Sequence, residues 1–500
     1  MLPGGAAVTI SWSSSSSSAQ LIDLPHLPSV DLKGRQLASK PAFCVEAHKV
    51  AVKVFNGGLR DEKLDRGMLP ILGEERAVLD QRHIDYNNRW PHAGLNRMTP
   101  APVASPTPAR RPHEKPALAH STSMIKTLYI SNFRSIGDDV SLHLDRFNLI
   151  VGANAAGKSN VLRSLSFIRD ALRMGLPGAV THANGIGAIR RHSRGHPRNV
   201  KIDLELQLSS GPATYGFELT GDRVEEYRVK SEWASVGRGD NALTFKLHNG
   251  TFHGPAHLRP NVDGQSLALT ALGGDVQLRP LWDFLTNTMI YSINPAELRV
   301  PQRFSNETPM QSQGENWVSI LHLQSDSPWI RDLSTAMNRL TGDLDDVRVS
   351  KAATFLVAEF HRLGGGDKDK KWFPAELESD GTLRVAGILT ALLQRPSLPV
   401  IGIEEPEQTL HPGAIPLLYE HLKEASERSQ IIVTTHSPLF LNYVKLDECR
   451  VFVVGRGDCG TNVVPLSESQ RESVQRKLLT LGDMMLAGDL QLDLPFRDDE

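Results

Sequence analysis

The sequence predicts an α/β protein with a mainly parallel core sheet, and three observations carry that expectation. Residues 147–151, 399–403 and 431–434 are short, dominantly apolar runs, as central parallel strands are when both faces are covered. Each run ends in polar residues suited to chemistry: a glycine-rich loop with a lysine, a pair of glutamates, and a histidine. The first run also leads, through its loop, into a helix marked by Val161, Leu162, Leu165 and Ile168 at helical spacing.

The chain before that region reads differently. Residues 1–123 hold a serine run at 13–18, scattered prolines and a Pro/Arg-rich stretch at 104–123, and strand-like alternation begins at Met124. This places a boundary near residue 123, with 1–53 unassigned, 54–106 a segment of its own and 107–123 a linker. Residues 54–67 (VFNGGLRDEKLDRG) and 83–103 (HIDYNNRWPHAGLNRMTPAPV) resemble the C-terminal end of integrase-type (DDE) insertion-sequence transposases. That resemblance implies a catalytic Glu just before the FNG turn. Lys53 and Val54 stand there instead, and no upstream portion supplies two aspartates, so a two-metal strand-transfer site cannot be built. The segment is expected to be a degenerate remnant, largely disordered, with Met124 the natural start.

Over the whole chain the composition is that of an ordinary globular protein. Its 500 residues suffice for two or three domains, 40% are apolar, 22% are charged and the formal net charge is -2. Near-neutral charge leaves no global footprint for nucleic acid, so any DNA contact needs a local patch. Cys44, Cys449 and Cys459 have neither metal-ligand nor disulfide-framework spacing, which fits a reducing cytosol. No run of 18 apolar residues suggests a membrane span, and no secretory signal is evident, so a cytoplasmic protein without membrane contact is expected.

The loop after the first run reads Gly152-x-x-x-x-Gly157-Lys158-Ser159, between a strand and a helix, which is the context the Walker A pattern requires. Gly152 and Gly157 let backbone N–H groups turn inward around phosphates, and the helix N-terminus adds the positive end of its dipole. Lys158 is placed to reach the β- and γ-phosphates of ATP and Ser159 to bind Mg²⁺. At the end of the second run, Glu404 stands where a Walker B acid holds Mg²⁺, and Glu405 can orient or deprotonate the attacking water. His436, ending the third run, can contact the γ-phosphate and sense its loss. The bland alternatives are a glycine turn with a surface lysine, two solvated glutamates and an idle histidine. The order of the three runs makes the chemical reading the stronger one.

The spacing separates the P-loop classes. About 245 residues lie between Ser159 and Glu404, and just before the second run comes ELESDGTLRVAGILTALLQ, a serine turn opening an amphipathic helix. Segments 131–138, 152–160, 379–384, 404–412 and 434–438 together resemble the ABC-type ATPase heads of the SMC, RecF and overcoming-lysogenization-defect lineage. The resemblance runs over 124–490, with 491–500 an acidic tail, and is closest to single-chain relatives often labelled AAA-type. It implies a P-loop NTPase head working as a head-to-tail, ATP-dependent homodimer, in which Ser379 and Gly381 of a signature complete the partner's ATP site. Residue chemistry agrees: Ser379 or Asp380 can cap the helix and Gly381 permits close approach. On the strength of the same resemblance, Asn154 and Asn160 are expected in the nucleotide-binding set with Gly152, Gly157, Lys158 and Ser159. Residues 407–411 would be the D-loop, and Gln302, Gln311 and Gln313 are weak candidates for the Q-loop glutamine. One departure is Ala155-Ala156 where Gly-Ala is usual; Ala155 is tolerated if its backbone need not adopt a positive φ.

Between loop and signature, at about 175–375, an insertion is expected with an antiparallel β lobe followed by helices, without sustained heptads. It opens with basic residues Arg190, Arg191, Arg194 and Arg198, either a DNA-facing patch or a solvated loop. The leading functional expectation is an ATPase acting in DNA repair or phage defence, with DNA and a nearby-encoded nuclease or effector as candidate partners. The alternative is a regulatory ATP switch within a toxin or nuclease complex. A transporter subunit is disfavoured by SDGTLR in place of an LSGGQ-like signature. An intrinsic nuclease would need a Toprim domain, and only about sixty residues follow His436.

Overall fold

The computed structural model describes residues 123–192, 196, 198–362, 372–457 and 460–490. The transposase-like segment, the linker, the expected disorder of 1–122, Arg194, Cys44, Cys459 and the acidic tail lie outside the described residues.

The expected core sheet is present. It has six strands in the order β17-β16-β3-β15-β14-β9: β3 is Phe147–Val151, β9 Met289–Tyr291, β14 Val400–Glu404, β15 Gln430–Thr435, β16 Arg450–Gly457 and β17 Gly460–Pro465. All neighbours pair in parallel except β16 and β17. The apolar runs do not alternate because both faces are covered. Phe147, Leu149, Val151, Ile401, Ile403, Ile431 and Val433 point into one core, and Ile150, Val400 and Ile432 into the other.

Four helices are the longest: α1 Lys158–Arg173, α2 Pro328–Thr341, α3 Asp380–Leu393 and α4 Ile415–Ser426. The helix after the glycine loop, α1, buries Val161, Leu162, Leu165 and Ile168 between the core sheet and a second sheet. Each of these side chains contributes about 1.5–3 kcal/mol on full burial. On the opposite face α3 buries Leu383, Val385, Ile388 and Leu389, beside α2 and α4.

The second sheet is antiparallel, in the order β2-β1-β4-β5-β6-β7-β8. It comprises β1 Met124–Ser131, β2 Val140–His143, β4 Val200–Leu208, β5 Gly211–Thr220, β6 Arg228–Val236, β7 Leu243–His248 and β8 Thr251–His253. Strand β4 shows why it forms: Val200, Ile202, Leu204, Leu206 and Leu208 are buried while the residues between them are not. The expected lobe is therefore real, but its frame is different. It is continuous with β1 and β2 at the start of the head, so it is not a self-contained insertion. A third sheet, absent from the sequence expectation, follows the helices in the order β10-β12-β11, with β13 on β12. These strands are β10 Gln302–Arg303, β11 Leu344–Ala352, β12 Phe355–Arg362 and β13 Trp372–Pro374.

The basic segment is corrected. Arg190 is buried and donates to the carbonyls of Arg223 and Val224 at 3.1 and 3.3 Å. Arg191 and Arg198 both pair with Asp138, at 3.6 and 2.8 Å. Arg191 and Arg198 thus tie the segment to the loop after β1 and Arg190 ties it to the turn after β5, so these three are held by partners within the chain. No helix among the described residues is long and apolar enough to cross a membrane.

Within the lobe, Glu232 of β6 is fully buried and caps the helix Ala268–Leu272, accepting from the Ala268 and Leu269 amides and from Tyr215 Oη. Burial pushes its pKa from 4.5 up to about 7, against those three donors. The folded state thus holds a proton that the unfolded state releases above its lower pKa, and stability falls as pH rises between the two values. We expect the stability margin of the wild type over Glu232→Gln to shrink by about 3 kcal/mol between pH 4.5 and 7.5. Urea unfolding of both proteins across that range checks it; a margin independent of pH would refute the assignment.

Candidate functional site

Parallel register sets the site. Val151 pairs with Thr435, Thr434 with Glu404, and Ile403 with Tyr291, so the carboxyl ends of β3, β15, β14 and β9 form one edge. Residues 152–159, His436, Glu404-Glu405 and Ser292 leave from that edge, where open α/β sheets bind ligands.

The loop after β3 is shaped by close approaches. A Cβ on Gly152 would collide with the Val454 carbonyl. Gly157 has φ +108 and faces the hydroxyls of Ser135 and Thr461, leaving no room for a side chain. Those hydroxyls bond each other at 2.8 Å; Thr461 Oγ1 also bonds the Ala156 carbonyl at 2.8 Å, and Asn160 Nδ2 donates to Ser135 at 2.7 Å. Asn160 therefore braces the loop from behind. Asn154 lies exposed in its turn. No side chain caps the first turn of α1, which leaves its N–H groups facing the loop. Lys158 Nζ donates to the Gly152 and Ala153 carbonyls at 3.0 and 3.1 Å. Burial pushes its pKa down, opposed by Glu405, Glu407 and Glu404.

The carboxylates converge on that lysine. Glu405 Oε1 lies 3.9 Å from Lys158 Nζ and 2.9 Å from His436 Nδ1, while Oε2 accepts from Gln408. Its backbone, at φ +45, donates its N–H to the Thr434 carbonyl at 3.0 Å. Burial raises the pKa of Glu404, opposed by Arg163 and by hydrogen bonds from Ser159 and Ser292. Glu407 is also pushed up by burial, with the Thr435 hydroxyl on Oε1 pulling the other way.

Ser379 is the N-cap of α3, accepting from Thr382 N at 3.1 Å, and Asp380 pairs with Arg299. A Cβ on Gly381 would come within 2.6 Å of the Thr409 carbonyl, so the signature turn rests on the loop after β14 of its own chain. Of the candidate glutamines, Gln302 has its whole amide committed, donating to the Glu297 and Gly314 carbonyls and accepting from Val318 N. Gln311 donates to Glu307. Sequence reasoning missed Thr461, Ser292 and Arg384. Thr461 and Ser292 carry no local pattern, since only strand pairing brings them to the site. Arg384 was visible at the end of SDGTLR, without a partner to give it meaning.

Ala155 departs from expectation: its φ is +61, the left-handed region where an alanine is strained by about 1–2 kcal/mol. Ala155→Gly is expected to raise thermal stability by about 1 kcal/mol, read as a shift in Tm. A neutral or lower Tm would show that the loop relaxes around the methyl group.

No curated protein matches the chain. Solved structures that resemble it include one described as the “SmcHead bound to the C-winged helix domain of ScpA”, 16% identical over 70% of this chain and 99% of that one, with a TM-score of 0.46. Another is the “SMC head domain from Thermotoga maritima”, 14% identical over 69% and 99%, with a TM-score of 0.36. The family described as “AAA domain, putative AbiEii toxin, Type IV TA system” matches residues 147–263 and 299–442, more than half of the chain. That match spans the phosphate loop, the Glu404 strand and His436, and the chain belongs to this AAA-domain family of ATP-binding proteins.

Proposed function

We propose that residues 124–490 form an ABC-type ATPase head that hydrolyses ATP at composite sites in a head-to-tail homodimer. The observation that carries the reading is the placement of Glu405 within 4 Å of both Lys158 and His436 along the carboxyl edge of the parallel sheet. The glycine cradle, free of side chains at Gly152 and Gly157, and the uncapped start of α1 suit a triphosphate.

The residues present fit Mg²⁺. Ser159 and Glu404, close enough to interact, are hard oxygen donors of the kind Mg²⁺ takes alongside phosphate oxygens. When bound there, the ion would neutralise charge on the β- and γ-phosphates. The chain's own residues do the rest. Lys158 exchanges its loop carbonyls for phosphate oxygens. Glu405, set apart from Glu404 by its left-handed backbone, orients the attacking water and accepts its proton. His436, bonded to Glu405, holds that carboxylate toward the γ-phosphate.

Ser379 and Gly381 touch Thr382 and Thr409, not the phosphate loop of their own chain, which supports a role for the signature in the partner's site. Motif resemblance supports DNA repair or phage defence as the process driven. A second reading, an ATP switch in a toxin system, is favoured by the family description, which names a toxin of a type IV system.

Two experiments test this. Glu405→Gln is expected to lower kcat by at least about 100-fold while an ATP-bound dimer persists in size-exclusion chromatography. Equal turnover in wild type and variant would reject Glu405 as the base and favour the switch. Lys158→Ala and Ser379→Arg chains are each expected to be inactive alone. Mixed in equal amounts they should regain turnover, up to roughly a quarter of the wild-type value, since half the dimers carry one intact site of two. No recovery on mixing would reject the composite site.

A further inference from the structure

Arg384 Nε and Glu407 Oε2 are among the buried polar atoms without a hydrogen-bond partner among the described residues. They lie on elements already in contact. The signature helix α3 rests through Gly381 on the Thr409 carbonyl, and Thr409 follows Glu407 by two residues. Arg384 stands one helical turn further along α3. Burial lowers its pKa, opposed by the charges of Glu405, Asp380 and Glu407. Asp380 is taken by Arg299, and Glu405 by His436 and Gln408. Glu407 is only 8% exposed and keeps one oxygen open.

We propose that Arg384 is a positioning residue that closes onto Glu407 and so couples the signature helix to the catalytic glutamate of its own chain. An unmade buried N–H and an unmade buried carboxylate oxygen each carry a desolvation penalty, and one charge-assisted bond relieves both. The coupling has a physical route. Glu407 Oε1 accepts the Thr435 hydroxyl, Thr435 precedes His436, and His436 bonds Glu405. A signature turn drawn toward the partner's nucleotide moves Arg384, and Arg384 moves this chain through Glu407. The two sites of the dimer then fire in concert. This rests on the composite-site reading above.

The test is a double-mutant cycle in the full chain with Arg384→Gln, Glu407→Gln and their combination, plus Arg384→Lys. Each single Gln variant is expected to lower kcat about tenfold while KM for ATP stays within about twofold, and to reduce the Hill coefficient toward 1. The double variant should be no slower than the slower single, and Arg384→Lys should restore part of the loss. Losses that multiply, or that fall equally on KM, overturn the proposal. The same cycle is read by thermal unfolding, where the Tm drop of the double variant should be smaller than the two single drops together. If the wild type shows no turnover, the ATPase reading fails, and the Tm cycle alone decides the pairing: additive shifts overturn it.

Discussion

The parallel pairing of β3, β15, β14 and β9 is the constraint on which the rest depends. A parallel register aligns strand ends without help from side chains, so four loops distant in sequence leave from one edge. Residues separated by about 245 positions, Ser159 and Glu404, meet there because their strands are two apart in the sheet. Burying both faces of the sheet makes the register hard to shift: a one-residue slip of β14 would swap Ile401 and Ile403 into the opposite core and draw the charge of Glu404 inward. Stability and function share this one set of hydrogen bonds.

The same burial shapes the electrostatics. Three glutamates, Glu404, Glu405 and Glu407, crowd one lysine in a region where burial disfavours charge on Glu404 and Glu407 and on Lys158 itself. Such a cluster persists because each carboxylate has a polar partner outside its own strand and loop: Ser159 of α1 for Glu404, and His436 and Thr435 at the end of β15 for Glu405 and Glu407. Moving one element therefore changes the surroundings of all the charges. Buried ion clusters at strand ends contribute little net stability but fix geometry tightly, and that suits a site in which the direction of one carboxylate matters.

Much of this was legible in the sequence because it depends on local chemistry. The glycine spacing around Lys158, the acidic end of β14 and the histidine after β15 are each written in a short window, and the apolar runs announce buried strands. Strand alternation in 200–208 likewise revealed the antiparallel lobe. What escaped were features set by long-range pairing. Thr461 lies more than 300 residues from Gly157 and reaches it only because β17 lies beside β16, itself a neighbour of β3. The arginines at 190, 191 and 198 read as either a DNA-facing patch or a solvated loop, since nothing local names Asp138 or the 223–224 carbonyls as their partners. The left-handed backbone at Ala155 was posed as a condition by its sequence and answered only by its coordinates.

The lysine of the phosphate loop has a consequence for affinity. Its ammonium group already donates to two carbonyls of the loop it must serve. An arriving nucleotide therefore trades one pair of hydrogen bonds for another, and the enthalpy of entry is the small difference between them. Side-chain hydrogen bonds of this kind break and re-form far faster than a ligand arrives, so they weaken binding without pacing it. The loop behaves as a weak internal competitor, always at the site and never diluted.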